Sequence, residues 1–527
     1  MSSGAAAGSG DRLSRDTILA LVAMALAVFV VANDFTALSV ALPTIERQFN
    51  ADVSSVQWVI NAYALVFGVL IVTGGRLADI FGRKRMFFVG AGIFAVFSLL
   101  AGLAPDAGTL IAGRALMGIG GALMWPATLG MTYAILPESK AGLAGGLIIG
   151  VAGIGNAVGP LIGGLLTDLA SWRWVLLLNL PVAAIACFVT SRTVKEPSEH
   201  LARGRIDYWG ITTLSLGLTS LLVALDQVGD WGFGDTRVIV MLVLFVVLIA
   251  SFPFIERHMG EDALLPPELL HKRQFVVCCA VIPLLGTGFF ALLLYLPQFM
   301  QKLLGYSPLK AGLGLLPMMA VFGAVSFVAG TLYERMGAKL STSSGAGFMA
   351  IGIFVISFAG VDSGYGLLAV GMTLFGIGTG LFFSSATTAG VTALDSAHAS
   401  LAGGVLYMFQ VAGASIGLGA LTAIFTATTQ AKVHSTAIAD VLNQGQEHAV
   451  NGILAGTANA QHLVDQFPHS KALLSSIARH AFADGTQTVF RVAAGLAAIA
   501  FVVAALFIKG RPRLREAAAA EPSPAAA

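Results

Sequence analysis

Fourteen apolar runs, each long enough to cross a lipid bilayer, constrain this chain more than any other feature. They cover residues 17–43, 56–80, 86–104, 109–135, 141–166, 173–193, 207–228, 236–257, 273–301, 309–333, 341–360, 364–393, 399–430 and 486–509. A helix needs roughly 20 apolar residues to span the hydrocarbon. The fold class expected is therefore an all-α membrane protein with 14 transmembrane helices. Only 11% of residues are charged, against roughly 25% in soluble domains. The first run is too long for a signal peptide and continues to Pro43, so it reads as a spanning helix. The net charge of +2 gives no hint of a nucleic-acid partner. Cys187, Cys278 and Cys279 lie in apolar runs, with neither disulfide-framework nor metal-ligand spacing.

An even number of crossings puts both termini on one side of the membrane. The tails and the loops on their side hold 19 Lys and Arg residues, and the opposite loops hold 8. The positive-inside rule then makes both termini cytoplasmic. Residues 1–16 and 511–527 read as disordered cytoplasmic tails. Between helices 13 and 14, residues 431–485 form a long polar segment on the outside, with His434, His448, His462, His469 and His480. Their spacing matches no ligand motif, so no metal is expected.

The chain repeats itself. Gly75-x-Leu77-x-Asp79-x-x-Gly82-x-Lys84, at the end of helix 2, recurs as Gly330-x-Leu332-x-Glu334-x-x-Gly337-x-Lys339 at the end of helix 10, offset by 255 residues. Gly118-x-Gly120 recurs as Gly376-x-Gly378, and Gly155-x-x-x-Gly159 as Gly413-x-x-x-Gly417, both offset by 258. Helices 1–6 thus correspond to helices 9–14 in order and orientation, as in transporters built from parallel repeats. The expected domains are an N-terminal six-helix bundle (17–193), a linker carrying two extra helices (194–272), and a C-terminal six-helix bundle (273–510).

The two halves differ where chemistry is expected. Asp34 aligns near Gly288, Arg114 with Met372 and Pro160 with Leu418, so an acid, a base and a kink occur only in the first half. Ionisable residues inside a membrane are costly and by default functional. Asp34 is the only carboxylate well inside a span; Asp79, Asp207, Asp226, Glu256 and Glu334 fall near helix ends. Burial penalises its charged form and a nearby Arg114 favours it. A carboxylate balanced between those influences can bind and release a proton.

Two further stretches stand out. In helix 5, Gly155, Gly159 and Gly163 recur every fourth residue, next to Gly164, and stack into a strip that lets another helix backbone approach closely. Pro160 has no N–H for the carbonyl of Asn156, so a bend is expected there. Gly417, which precedes Leu418 and no proline, is expected to tolerate alanine better than Gly159. At the end of helix 2, Gly75 permits a close crossing, Asp79 can face the positive end of a helix, and Gly82 turns the chain. Arg83, Lys84 and Arg85 then hold the loop at the membrane face. Mid-helix positions mark Asn33, Asn61, Tyr63, Asn156, Gln298 and Gln410 as polar cavity candidates, with Trp58, Trp125 and Tyr407 as aromatic surfaces.

These residues resemble a known family. GGRLADIFGRKR is similar to the signature loop of the major facilitator superfamily. NDFTALSVALP, RALMGIGGA and GNAVGPLIGG resemble motifs of its drug:proton antiporters. The helix count, WRWVLLLNLP, LGYSPLKAGLGLLP and LAGGVLYMFQVAGASIG resemble its fourteen-helix multidrug branch, over about residues 15–510. The resemblance implies proton coupling at Asp34 and Arg114, a cytoplasmic gate at Asp79 and Arg83, and an antiport motif at Gly155, Gly159 and Pro160. Met117, where many relatives carry Gln, and Asn33, beside the acid, depart from the pattern. It implies a monomeric proton-driven exporter of amphipathic small molecules in the cell membrane, with no cofactor. A dedicated exporter of one metabolite, antibiotic, lipid or siderophore would share every motif. A non-transporting sensor would have little use for Asp34 or Arg114. No nucleophile–base set or cofactor loop points to an enzyme.

Overall fold

A computed structural model describes residues 13–51, 53–137, 140–194, 206–232, 234–438, 442, 444–455, 466–467 and 470–510. The expected tails fall mostly at 1–12 and 511–527, outside the described residues. Among those described, all regular structure is helical, as it must be where no water can satisfy a free backbone amide. The first part runs α1 (Arg15–Ala37), a 3₁₀ turn (Leu38–Ala41), α2 (Leu42–Phe49), α3 (Val53–Phe81), α4 (Arg83–Gly102), α5 (Ala107–Ile135) and α6 (Ala141–Leu169). Next come α7 (Arg173–Leu177), α8 (Asn179–Thr193), α9 (Tyr208–Trp231), α10 (Thr236–Met259) and α11 (Pro267–His271). The rest is α12 (Arg273–Lys302), α13 (Pro308–Leu313), α14 (Leu316–Ile356), α15 (Tyr365–Val391), α16 (Ala399–Ile438), α17 (Gln444–Ala455) and α18 (Lys471–Phe507).

Thirteen of the described helical stretches are long and apolar enough to cross a membrane, one fewer than the apolar runs. The difference lies at Lys310–Ile356, a 47-residue stretch that joins the tenth and eleventh runs. At 1.5 Å per residue it is about 70 Å long, twice the hydrocarbon thickness. Gly337 breaks it with φ 79° and ψ 166°, a conformation open to glycine. Two crossings therefore lie within it. Gly82, its partner in the repeat, separates α3 from α4 at φ 103° and ψ 128°.

The chain divides into two compact units. One takes residues 1–215, 251–269 and 391–407; the other takes 216–250, 270–390 and 408–527. In the first, α5 packs along α3 and α4, and α1 along α6 and α8. In the second, α18 packs along α12 and α14. The sequence repeat is also a packing repeat. A side chain on Gly118 would strike the backbone at Tyr63 and Phe67, and one on Gly376 the backbone at Met318 and Phe322. Gly120 faces Phe94 and Gly90 just as Gly378 faces Met349 and Gly345. Each partner is displaced by 255 residues, so the same helix crossing is built twice.

The segment read as a solvated loop with helical turns is helical over most of its described residues. α16 continues to Ile438, α17 covers Gln444–Ala455 and α18 starts at Lys471. Val433, Leu442, Ala449, Val450, Leu474, Ala478 and Ala481 form a small buried core there. His434 pairs with Glu447 at 3.6 Å and the His480 ring meets its own helix at the Ser476 carbonyl. The side chains of His448, His462 and His469 lie outside the described residues.

Candidate functional site

Asp34 sits on α1 and Arg114 on α5, and both lie in the first unit. They are 1% and 0% exposed and form a direct ion pair. The pair is held on every side. The Arg114 guanidinium donates from Nε to the Val59 carbonyl (2.9 Å), and its carbon lies 4.4 Å from the centre of the Tyr63 ring. Its remaining nitrogens reach the Asp34 carbonyl (3.4 Å) and the Met117 sulfur (3.8 Å). On the acid, Oδ1 accepts from Asn179 Nδ2 at 3.0 Å. The same amide reaches Ser98 Oγ at 3.1 Å, and that hydroxyl donates to the Leu176 carbonyl at 2.8 Å. Breaking such a pair strands a buried charge. Beside it, Asn33 Oδ1 is buried without a donor among the described residues.

Aromatic rings continue from the pair. Phe35 packs edge-on to Tyr63 (4.8 Å between centres) and Phe67 (5.1 Å), and Phe67 leads to Trp125 and Tyr407, themselves 4.7 Å apart. The structure thus gathers Asp34, Arg114, Met117, Tyr63, Trp125 and Tyr407 around one cluster. Trp58 and Asn61 are half-buried on α3. Gln298 and Gln410 belong to the second unit, where Gln298 donates back to the Leu294 carbonyl of its own helix. Sequence reasoning missed Asn179, Ser98 and Phe35. The signal available for Asn179 was a lone amide inside an apolar run.

The glycine strip of α6 faces α1. A side chain on Gly155 would meet Ala32 and Asn33, one on Gly159 the Thr36 hydroxyl, and one on Gly163 the Ala37 carbonyl. Gly164 is roomier, with Val40 at 3.6 Å. Pro160 lies within a continuous α6. The carbonyl it leaves without a donor, that of Asn156, accepts instead from Thr36 Oγ1 at 3.0 Å. Gly159 is what lets that hydroxyl in. The second unit repeats the motif: Thr287 Oγ1 donates to the Gly413 carbonyl at 3.0 Å, and a side chain on Gly417 would strike Thr287. Gly417 therefore has no more room than Gly159, contrary to the tolerance expected from Leu418. A proline next door alters which carbonyl needs a donor, not how closely the helices approach.

At the loop after α3, Asp79 and Arg83 pair at 3.0 Å. Asp79 also accepts from the Ser400 (3.3 Å) and Leu401 (2.8 Å) amides, at the first turn of α16, where free N–H groups favour an anion. Arg83 donates to the Gly130 carbonyl (3.2 Å) and to the Ser396 carbonyl. Gly75 brings the chain against Ser400, 2.7 Å from where its side chain would start. Lys84 Nζ reaches the carbonyls of Val194 (2.5 Å) and Ser191 (3.2 Å) at the end of α8, a placement suited to a cation.

The Major Facilitator Superfamily model matches residues 24–418. The multidrug resistance protein Stp of Mycobacterium tuberculosis (strain CDC 1551 / Oshkosh) is 29% identical over 495 residues, covering 93% of this chain and 92% of its own. The cephamycin export protein CmcT of Amycolatopsis lactamdurans is 33% identical over 425 residues, covering 77% and 84%. Among solved structures, the human organic anion transporter MFSD10 (TETRAN) matches with a TM-score of 0.60 at 12% identity, over 93% of this chain and all of that one. At that identity the likeness speaks for the fold alone.

Proposed function

This chain belongs to the Major Facilitator Superfamily, and we propose that within it the protein exports amphipathic small molecules from the cell in exchange for protons. The observation that carries the reading is the buried Asp34–Arg114 pair, with both side chains fully hidden. In this reading Asp34 takes a proton on the outer side, loosens its hold on Arg114 and Asn179, and favours return to the inward-facing state. One charge moving across 100 mV is worth roughly 2.3 kcal/mol, with the pH gradient added. A substrate shifts the two states only by binding them differently. The gradient replaces any cofactor, the chain works as a monomer, and both termini face the cytoplasm. The cluster of Asp34, Arg114, Met117, Tyr63, Trp125 and Tyr407, with Asn33 at its edge, offers charge and aromatic surface to a substrate.

Asp79 and Arg83 are the lock of this reading, because together they tie α3 to the first turn of α16. Asp79→Ala is expected to bias the resting protein inward, read as altered labelling of cysteines introduced at the two membrane faces. Unchanged labelling with normal transport would reduce the loop to a topology anchor. A dedicated exporter of a single antibiotic is the second reading, favoured by the likeness to a cephamycin export protein. Growth of an exporter-deficient host carrying this chain separates the two. Raised tolerance to several unrelated amphipathic drugs supports the first, tolerance to one compound class the second, and tolerance to none contradicts both.

A further inference from the structure

At the ends of the two extra helices, in the stretches that belong to the first unit, lies a pair of acids that transport at Asp34 does not use. Asp207 precedes α9 and Glu256 lies in the last turn of α10; they are 2% and 5% exposed. Three of their four oxygens are reached by backbone amides. Gly210 N–H donates to Asp207 Oδ1 (2.7 Å), Leu264 N–H to Asp207 Oδ2 (3.4 Å) and Leu265 N–H to Glu256 Oε2 (2.8 Å). Glu256 Oε1 has no donor among the described residues. It and Asp207 Oδ2 instead crowd the same point, 2.5 and 2.3 Å from where a side chain on Gly210 would start.

Ionised carboxylates are acceptors only. Two of them cannot share a buried contact without a proton between them, because both the unmet acceptor and the like charges raise the free energy. We propose that Asp207 and Glu256 hold one proton between them, a protonation site separate from Asp34. Asp207 caps the first turn of α9, where an anion is favoured, so the proton resides on Glu256 Oε1 and is donated to Asp207 Oδ2. Arg76, buried on α3, is a cation whose field reaches the pair. It lies in the field of Asp79, Asp262, Glu256 and Asp207, and Asp79 is in turn paired with Arg83. Releasing the shared proton puts a second full negative charge in the field of Arg76, three residues before the Asp79 lock. The pair is placed to make that loop respond to pH.

Proton occupancy is a property of the resting protein, so its test needs no substrate. The full chain in lipid nanodiscs at neutral pH should show infrared absorbance from about one protonated carboxyl per chain, shifted in heavy water. Glu256→Gln keeps a donor toward Asp207 and should fold while losing that band. Asp207→Asn turns the partner into a donor, leaves Glu256 ionised and should lose it too. Asp34→Asn should keep it. A wild-type protein without the band, a band that survives in both Glu256→Gln and Asp207→Asn, or one lost in Asp34→Asn would overturn the shared proton.

Discussion

Asp34→Asn is expected to leave a folded protein that no longer couples export to protons, whereas Asp34→Ala is expected to lose the fold. The two substitutions remove the same charge. They differ in what they leave for Arg114 and Asn179. The asparagine oxygen still accepts from the guanidinium that now meets Asp34 Oδ2, and its amide can reorganise around Asn179. Alanine leaves a fully buried guanidinium with no acceptor in place of the carboxylate, a loss of about 3–5 kcal/mol when one partner of a buried pair is deleted. Thermal melting of the purified variants checks the stability difference, and drug accumulation in cells at matched expression checks transport. Equal melting of the two variants would show that the contacts asparagine keeps with Arg114 and Asn179 contribute little to the fold. Wild-type export by Asp34→Asn would remove this acid from the coupling.

The second large effect is expected at the contact of α1 with α6, where four residues act as a unit. Pro160 strips the Asn156 carbonyl of its helical donor, Thr36 supplies a replacement, and Gly159 leaves space for it. Thr36→Val should cost about 1 kcal/mol, the low end of the penalty for an unmet acceptor because this one is only partly buried. In a Pro160→Ala background the helix regains its own N–H, and the same Thr36→Val change should cost close to nothing. That non-additivity, read from the melting of the four proteins of the double-mutant cycle, is the signature of the shared carbonyl. Gly159→Ala should displace the Thr36 hydroxyl and impair transport in part. Gly159→Val, with two more carbons in a closed contact, should abolish it. Additive costs in the cycle would make Thr36 an ordinary packing residue.

Much of the fold was legible because the membrane imposes its own arithmetic. An apolar run must be a helix, and its length must match the bilayer, so fourteen crossings could be read before any contact was known. The internal repeat was legible from glycines, since those at 118 and 376 are fixed by backbones that approach too closely for any side chain. Asp34 and Arg114 were visible because charge in an apolar run has few innocent explanations. Asn179 and Ser98 were not, because a single amide or hydroxyl satisfies itself in many ways. Asp207, Glu256 and Arg76 were hidden for a different reason. They lie near helix ends, where a charge ordinarily meets water, and only the folded chain reveals that this end is buried. Between α16 and α18 helical turns were legible, but the small core that packs them was not, because its short apolar residues carry too little hydropathy to stand out.

The most direct measurement of proton antiport uses the purified chain in liposomes with a pH-sensitive dye inside. Addition of a lipophilic drug cation to the wild-type protein is expected to move protons against the direction of the drug, and the signal should vanish in Asp34→Asn reconstituted at equal density. Drug transport by the wild-type protein without proton movement, or undiminished proton movement by Asp34→Asn, would contradict proton coupling at Asp34.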